Sequence, residues 1–164
     1  MARFPRWSAV AIAPPLIVLA HVLVPYALSR LSVRHGWVGG RPGPWNLLAL
    51  IVVAAGGLGI AWGAGLHLTK TAAVFELETT PKYLLKGGPY RFSRNPMYVA
   101  VLTMWCGWAL VYGSLANAVA FLAVWAIVTM LVVPWEERGL EGRFGEGYLQ
   151  YKNAVPRWFG RARN

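Results

Sequence analysis

The sequence predicts an all-α polytopic membrane protein: four transmembrane helices, a tight hairpin of the last two, and a short C-terminal cytoplasmic amphipathic helix. Three observations predict it. The chain of 164 residues is 57% hydrophobic and only 13% charged, about half the charged share of a soluble domain. Its apolar residues gather in runs of roughly 20, the length of helix that crosses a hydrocarbon core of about 30 Å. Its 16 lysines and arginines, against 6 acids, flank those runs without forming one basic patch, which favours anionic lipid over nucleic acid as a partner. The single Cys106 lies inside an apolar run, so neither a disulfide nor a metal site follows from it.

The spans fall at about residues 8–28, 45–68, 96–112 and 115–133, within a single integral membrane domain over residues 1–164. The first carries no charge, and its apolar stretch is longer than that of a signal peptide. Pro14, Pro15 and Pro25 predict a bend in it, and His21 is a polar group at depth. Residues 29–44 read as a connecting loop, punctuated by glycine and proline. The second span carries two small-residue stripes, Gly57, Ala61 and Gly65 on one face and Gly59 and Gly63 on the next, which permit close helix packing. His67 closes that span near the interface. Residues 70–93 read as a partly ordered surface loop. The Gly113-Ser114 turn makes the third and fourth spans an antiparallel hairpin. With the N-terminus in the cytoplasm, 13 basic residues lie on that side and 3 (Arg30, Arg34, Arg41) on the other. Both termini are therefore expected to be cytoplasmic.

The richest stretch runs from Gly87 to Tyr98, Gly-Gly-Pro-Tyr-Arg-Phe-Ser-Arg-Asn-Pro-Met-Tyr. Gly87, Gly88 and Pro89 make a turn. Asn95 then stands as a helix N-cap, with Pro96 as the first helical residue. The positive end of that helix, reinforced by Arg91 and Arg94, suits a carboxylate or phosphate. At about 1.5 Å per residue, a chain turning at 113–114 regains the level of Asn95 near Val132. Glu136 and Glu137 then emerge about one turn beyond, in the layer of Arg91 and Arg94. Residues 134–164 form a cytoplasmic tail that closes this site. Leu140, Phe144, Tyr148 and Tyr151 give the tail one apolar stripe.

These segments resemble a known family. Gly88-Pro-Tyr-Arg-Phe-Ser-Arg-Asn-Pro-Met-Tyr98, the glycine-turned hairpin, Glu136-Glu137, then Leu140, Phe144-Gly145, Tyr148, Tyr151 and Val155-Pro-Arg-Trp158 are similar to the isoprenylcysteine carboxyl methyltransferase and phospholipid methyltransferase group of integral membrane enzymes. The resemblance covers about residues 84–159. It implies an S-adenosylmethionine pocket at the cytoplasmic ends of the last two spans, capped by the tail. Pro89, Tyr90, Arg91, Arg94, Asn95, Pro96 and Tyr98 would bind the cofactor from one side, and Glu136 and Glu137 from the other. Relatives often carry histidine before the proline where this chain has Asn95, which removes a base from that position but leaves a hydrogen-bonding group.

Methyl transfer from a sulfonium is an in-line displacement that needs no metal, only positioning and placement of charge. Arg94 would orient a carboxylate, and Glu137 would serve as base if the lipophilic acceptor is an amine or thiol. Two other readings are weighed against this one. A sterol-reductase-like enzyme using a nicotinamide cofactor usually has more spans. A small four-helix transporter usually carries an acid or another charge within a span, whereas these spans hold only His21 and His67.

Overall fold

The computed structural model describes residues 19–71 and 84–160. Most of the expected first span, the middle of the 70–93 loop, and the side chain of His67 lie outside the described residues. The elements follow from the apolar runs. A π-turn at Leu19–Leu23, with half-buried His21, leads into α1, Val24–Ser29. A two-residue ladder pairs β1, Trp37–Val38, with β2, Arg41–Pro42. Then come α2, Pro44–Leu48, and α3, Leu50–Thr71, followed by a 3-10 turn at Gly88–Arg91 and α4, Pro96–Tyr112. The chain ends with α5, Leu115–Ile127, a π-turn at Val128–Val132, α6, Val133–Phe144, and α7, Glu146–Ala154.

Polarity is inverted relative to a water-soluble fold. Asn46, Asn117 and Ser29 are fully buried, while Ile51, Leu58 and Leu131 are about two-thirds or more exposed (68%, 72% and 65%). A soluble protein does not leave so much apolar side chain in water, so this is a membrane protein. Two continuous helices, Pro44–Leu66 and Leu115–Phe144, are long and apolar enough to cross a bilayer; Ala20–Ser29 and Pro96–Tyr112 are shorter.

The tightest packing joins α3 to α4. A methyl group on Gly56 would stand 2.6 Å from the Met104 amide, one on Gly59 2.8 Å from Ala100, and one on Gly63 would strike the Met97 sulfur. Gly107 of α4 reciprocates against Val53. Of the two stripes expected from sequence, the one through Gly59 and Gly63 makes the contact, extended by Gly56. Among the described residues, nothing lies within 4 Å of where a methyl group on Gly57 or Gly65 of the other stripe would stand. Small residues matter only on the face where two backbones meet.

The connection between α4 and α5 requires Gly113, whose φ of 54° is left-handed and whose absent side chain leaves room for the His35 carbonyl. Ser114 caps α5 by accepting from the Asn117 amide. Residues 30–43, expected to be a loop, form an ordered plug on this turn. His35 N donates to Gly113 O, the Ser32 and Ser114 hydroxyls meet at 2.8 Å, and Trp37 Nε1 donates to Val111 O. Asn46 Nδ2 donates to both His35 O and Leu110 O, and Asn117 Nδ2 to Pro25 O. The three arginines expected on the far side lie in this plug, at the end of the fold opposite the acids.

One expectation is corrected outright: the fourth helix does not stop at Pro134. A proline ring clashes with the carbonyl four residues back. Here the π-turn widens the preceding backbone, with Val133 N donating to Val128 O, so the helix passes through to Phe144. The tail is accordingly the end of this helix plus α7, hinged at Gly145 with φ 50° and ψ −127°, not one separate amphipathic helix. Leu140, Phe144, Tyr148 and Tyr151 do converge, on Val155 and Leu84.

The two glycine stripes make a direct test. Gly56→Leu should destabilise the protein by about 1–3 kcal/mol through overpacking, whereas Gly57→Leu should be neutral. Thermal unfolding of the detergent-solubilised variants checks this, and equal effects would reject the packing face.

Candidate active site

The acids and the Gly87–Tyr98 corner meet at one end of the fold. Glu137 is buried, its carboxylate gripped from two sides. Arg94 Nη1 approaches Oε1 at 3.0 Å, while Arg157 Nε and Nη2 donate to the two oxygens at 3.1 and 2.7 Å. Glu137 and Arg94 keep only 6% and 9% of their side-chain surface. A buried carboxylate without such partners would be strongly disfavoured. Arg94 Nε is also buried, with no hydrogen-bond partner among the described residues.

Glu136, the preceding residue, has a different environment. Its Oε2 accepts a 3.0 Å hydrogen bond from the Tyr98 hydroxyl, and no described cation lies within ion-pair distance of it. It lies past the roughly 20 residues of its helix that suffice to cross the bilayer. Burial raises its pKa above the ordinary 4.5; the Tyr98 hydrogen bond opposes the rise and the neighbouring Glu137 charge adds to it. Tyr90, in the 3-10 turn, feels the same charge. Its own burial, followed by Glu136, pushes its phenol up to about 12. A carboxylate bonded to one phenol, near a second, and with no ion-pair partner among the described residues is a natural seat for a cation.

The tail fixes this corner through backbone groups. Arg94 N donates to Pro156 O at 3.0 Å, and the Ser93 hydroxyl and Asn95 Nδ2 both donate to Arg157 O at 3.2 and 3.0 Å. Tyr151 donates its hydroxyl proton to Tyr90 O at 2.8 Å, and Lys86 Nζ donates to Gly147 O. Burial raises the Tyr151 pKa as well, so this phenol keeps its proton.

Asn95 therefore departs from the expected role. Its backbone holds the N-cap position, but its side chain makes no capping bond and reaches for the tail. The Arg157 carbonyl draws the side chain toward the tail by accepting from Nδ2, a partner that the local sequence does not reveal. Pro96 opens α4 as expected, and Pro89 O accepts from Phe92 N and Ser93 N to close the 3-10 turn. Arg91 is exposed and makes no ion pair among the described residues, so it does not join the acids. Sequence reasoning missed Ser93 and the weight carried by Arg157. The one available signal was the Val155-Pro-Arg-Trp158 run in the resemblance.

The model of the family described as phospholipid methyltransferase matches residues 45–147, which take in the α3–α4 packing, the Gly88–Tyr98 corner and both acids. The chain belongs to the phospholipid methyltransferase family. Comparison with curated proteins and with solved structures gave no match. As a member of the phospholipid methyltransferase family the protein is a membrane methyltransferase, for which lipid substrates are implied. The match ends at Gly147, so Tyr151 and Arg157 hold the family's corner from outside it. Among the described residues, no three histidine, cysteine or acidic side chains gather as a metal site.

Glu137→Ala leaves Arg94 buried without its counter-charge and should cost about 3 kcal/mol or more. Glu137→Gln, which keeps an acceptor oxygen, should cost less. Unfolding midpoints in detergent check both, and an unchanged midpoint for Glu137→Ala would show that the clasp does not hold the tail.

Proposed function

We propose that this protein is a multi-pass, S-adenosylmethionine-dependent methyltransferase acting on a lipophilic acceptor at the cytoplasmic membrane interface. The observation that carries the reading is the contrast between two adjacent acids: Glu137 is neutralised by two arginines, while Glu136 is desolvated, bonded to Tyr98 and close to Tyr90, with no ion-pair partner among the described residues.

The residues fit the donor. A sulfonium or ammonium group suits Glu136 with the Tyr90 and Tyr98 rings. A carboxylate suits the Arg94 side, where three charges leave a surplus of one positive and Nε has no partner among the described residues. The donor supplies an electrophilic methyl carbon that passes to the acceptor's nucleophile as its bond to sulfur breaks, leaving a neutral thioether. Every other contribution is the protein's: to orient, to hold charge and to exclude water.

This changes the roles expected from sequence. Both Glu137 oxygens are already engaged by guanidinium groups, so Glu137 acts as a positioning group and not as the base. Arg94 positions Glu137 and faces the donor. For an amine acceptor, Glu136 takes the proton, since its raised pKa brings it closer to that task. Asn95 and Pro96 shape the corner, and Pro89 with Tyr90 closes it. Four spans, with the basic head, corner and tail inside, satisfy the charge asymmetry and put the site where a polar donor arrives from water and a greasy acceptor from lipid.

Glu136→Gln removes a charge-assisted contact worth about 1.5–3 kcal/mol, so donor affinity should fall about 10–100-fold with the fold intact. Because the cation needs ionised Glu136, affinity should also fall with pH as Glu136 takes up a proton, over a range above that of an ordinary carboxylate, and this dependence should vanish in Glu136→Gln. Calorimetric titration of S-adenosylmethionine into detergent-solubilised protein measures both. Absence of saturable binding, or unaltered binding by Glu136→Gln, overturns the reading.

A further inference from the structure

At the end of the fold away from the acids, the plug carries charge that the chain does not balance. Arg30, Arg34 and Arg41 all lie in residues 30–43, and the sequence holds no acid before Glu76. The described glutamates belong to α6 and α7, so no described carboxylate pairs with these arginines. Arg34 is the most tightly placed of the three. Its Nε donates to the Ser29 carbonyl at 3.2 Å, and its guanidinium carbon lies 4.8 Å from the centre of the Trp37 ring and 5.6 Å from that of Tyr112. Nη2 is shut off from solvent and has no hydrogen-bond partner among the described residues. Ring faces attract the cation, but they leave its N–H groups short of acceptors. The side chain as a whole is only half-buried, so the guanidinium keeps an edge that an anion can meet.

The surroundings set the depth at which that anion would lie. Tyr112 stacks on Trp37 and on Trp108 and meets Tyr26 edge-on. Tyrosine and tryptophan gather in this way at the level of lipid headgroups. Leu31, Val33 and Val38, on either side of Arg34 in sequence, are largely exposed, an arrangement that suits a segment resting among lipids. The plug therefore presents apolar side chains to the bilayer and an unneutralised guanidinium at the headgroup layer. The planar fork of a guanidinium matches the oxygens of a phosphate two at a time.

We propose that Arg34, framed by Trp37 and Tyr112, seats the phosphate of an anionic phospholipid in the leaflet at the plug's end, the end opposite the acids. This lipid is a structural ligand, separate from methyl transfer. Its phosphate accepts from Arg34 while its chains lie against the exposed Leu31 and Val33. Because Arg34 is tied to Ser29 at the end of α1 and to Tyr112 at the end of α4, the bound lipid steadies the junction of these helices with the plug. Inorganic phosphate offers the same oxygens without the chains.

The test uses the full-length protein in phosphatidylcholine nanodiscs doped with phosphatidylglycerol, a lipid with no amine to methylate, and counts retained lipid by native mass spectrometry. Wild type should retain phosphatidylglycerol in preference to phosphatidylcholine. Arg34→Gln removes a charge-assisted contact and should weaken that retention about 10–100-fold. Arg34→Lys, which keeps the charge and loses the fork, should weaken it less, and it carries the test if the glutamine variant does not fold. Arg138→Gln, at an exposed position on α6, should leave retention within about twofold of wild type. Unaltered retention in both Arg34 variants, or an equal loss in Arg138→Gln, overturns the proposal. In detergent, dihexanoyl phosphatidylglycerol should raise the unfolding midpoint of wild type but not of Arg34→Gln, and inorganic phosphate at the same concentration should leave wild type unchanged. An equal rise with inorganic phosphate would show a site for a free anion and overturn the lipid seat.

Discussion

A carboxylate taken out of water must be compensated on the spot, and Glu137 is compensated twice. The cost of removing such an ion from solvent is several kcal/mol even in a relaxed protein interior. It is met by Arg94, from the corner before α4, and by Arg157, from beyond α7. Three segments distant in sequence thereby share one position. Because the carbonyls of residues 156 and 157 accept from Arg94, Ser93 and Asn95, the tail is held in register by its backbone as well as by its charge. A tail fixed in this way is part of the corner that holds the two acids.

The same clasp gives the neighbouring acid its character. Had Glu136 also found an arginine, the corner would be an ordinary ion-pair network with no preference for an outside cation. Instead its carboxylate is half-buried, bonded to a phenol and pushed toward protonation by burial. Adjacent carboxylates held in contrasting environments are a common way for an active site to divide roles between two chemically identical groups. Here the division is between an acid that organises the protein and an acid that stays available.

Much of this layout was legible in the sequence, because helix rise and residue counting are rigid rules. The turn at Gly113-Ser114 and the even spacing on either side of it suffice to bring Glu136 and Glu137 to the layer of the Arg91–Arg94 corner. The rotational details were not legible, and the reason is specific. Each residue turns an α-helix by about 100°, so the π-turn at Val128–Val132, which adds a residue within its loop, re-aims everything after it. Which of two consecutive glutamates faces Arg94 depends on that insertion, and no hydrophobic pattern announces it. The glycine stripes of α3 pose the same problem: the sequence offers two faces, and only the partner's position selects Gly56, Gly59 and Gly63. Asn95 illustrates the remaining kind of difficulty. Its capping role was the best local choice, but a carbonyl more than sixty residues away displaced it.

The ends of the molecule then divide the work. At the Gly113 end, the buried Asn46 and Asn117 together with the Trp37 indole donate to backbone carbonyls in three segments, α1, the 30–43 plug and the end of α4, leaving that end closed. At the opposite end the closure is made by the tail, which combines the Glu137 ion pairs with hydrogen bonds from Arg94 N, Ser93 and Asn95 to the carbonyls of residues 156 and 157. The ionic part of that closure is the part that water loosens, since charged partners regain hydration on separation. The two ends are therefore closed by different chemistry: buried amides hold the helices in register at one, and a partly ionic tail covers the acids at the other.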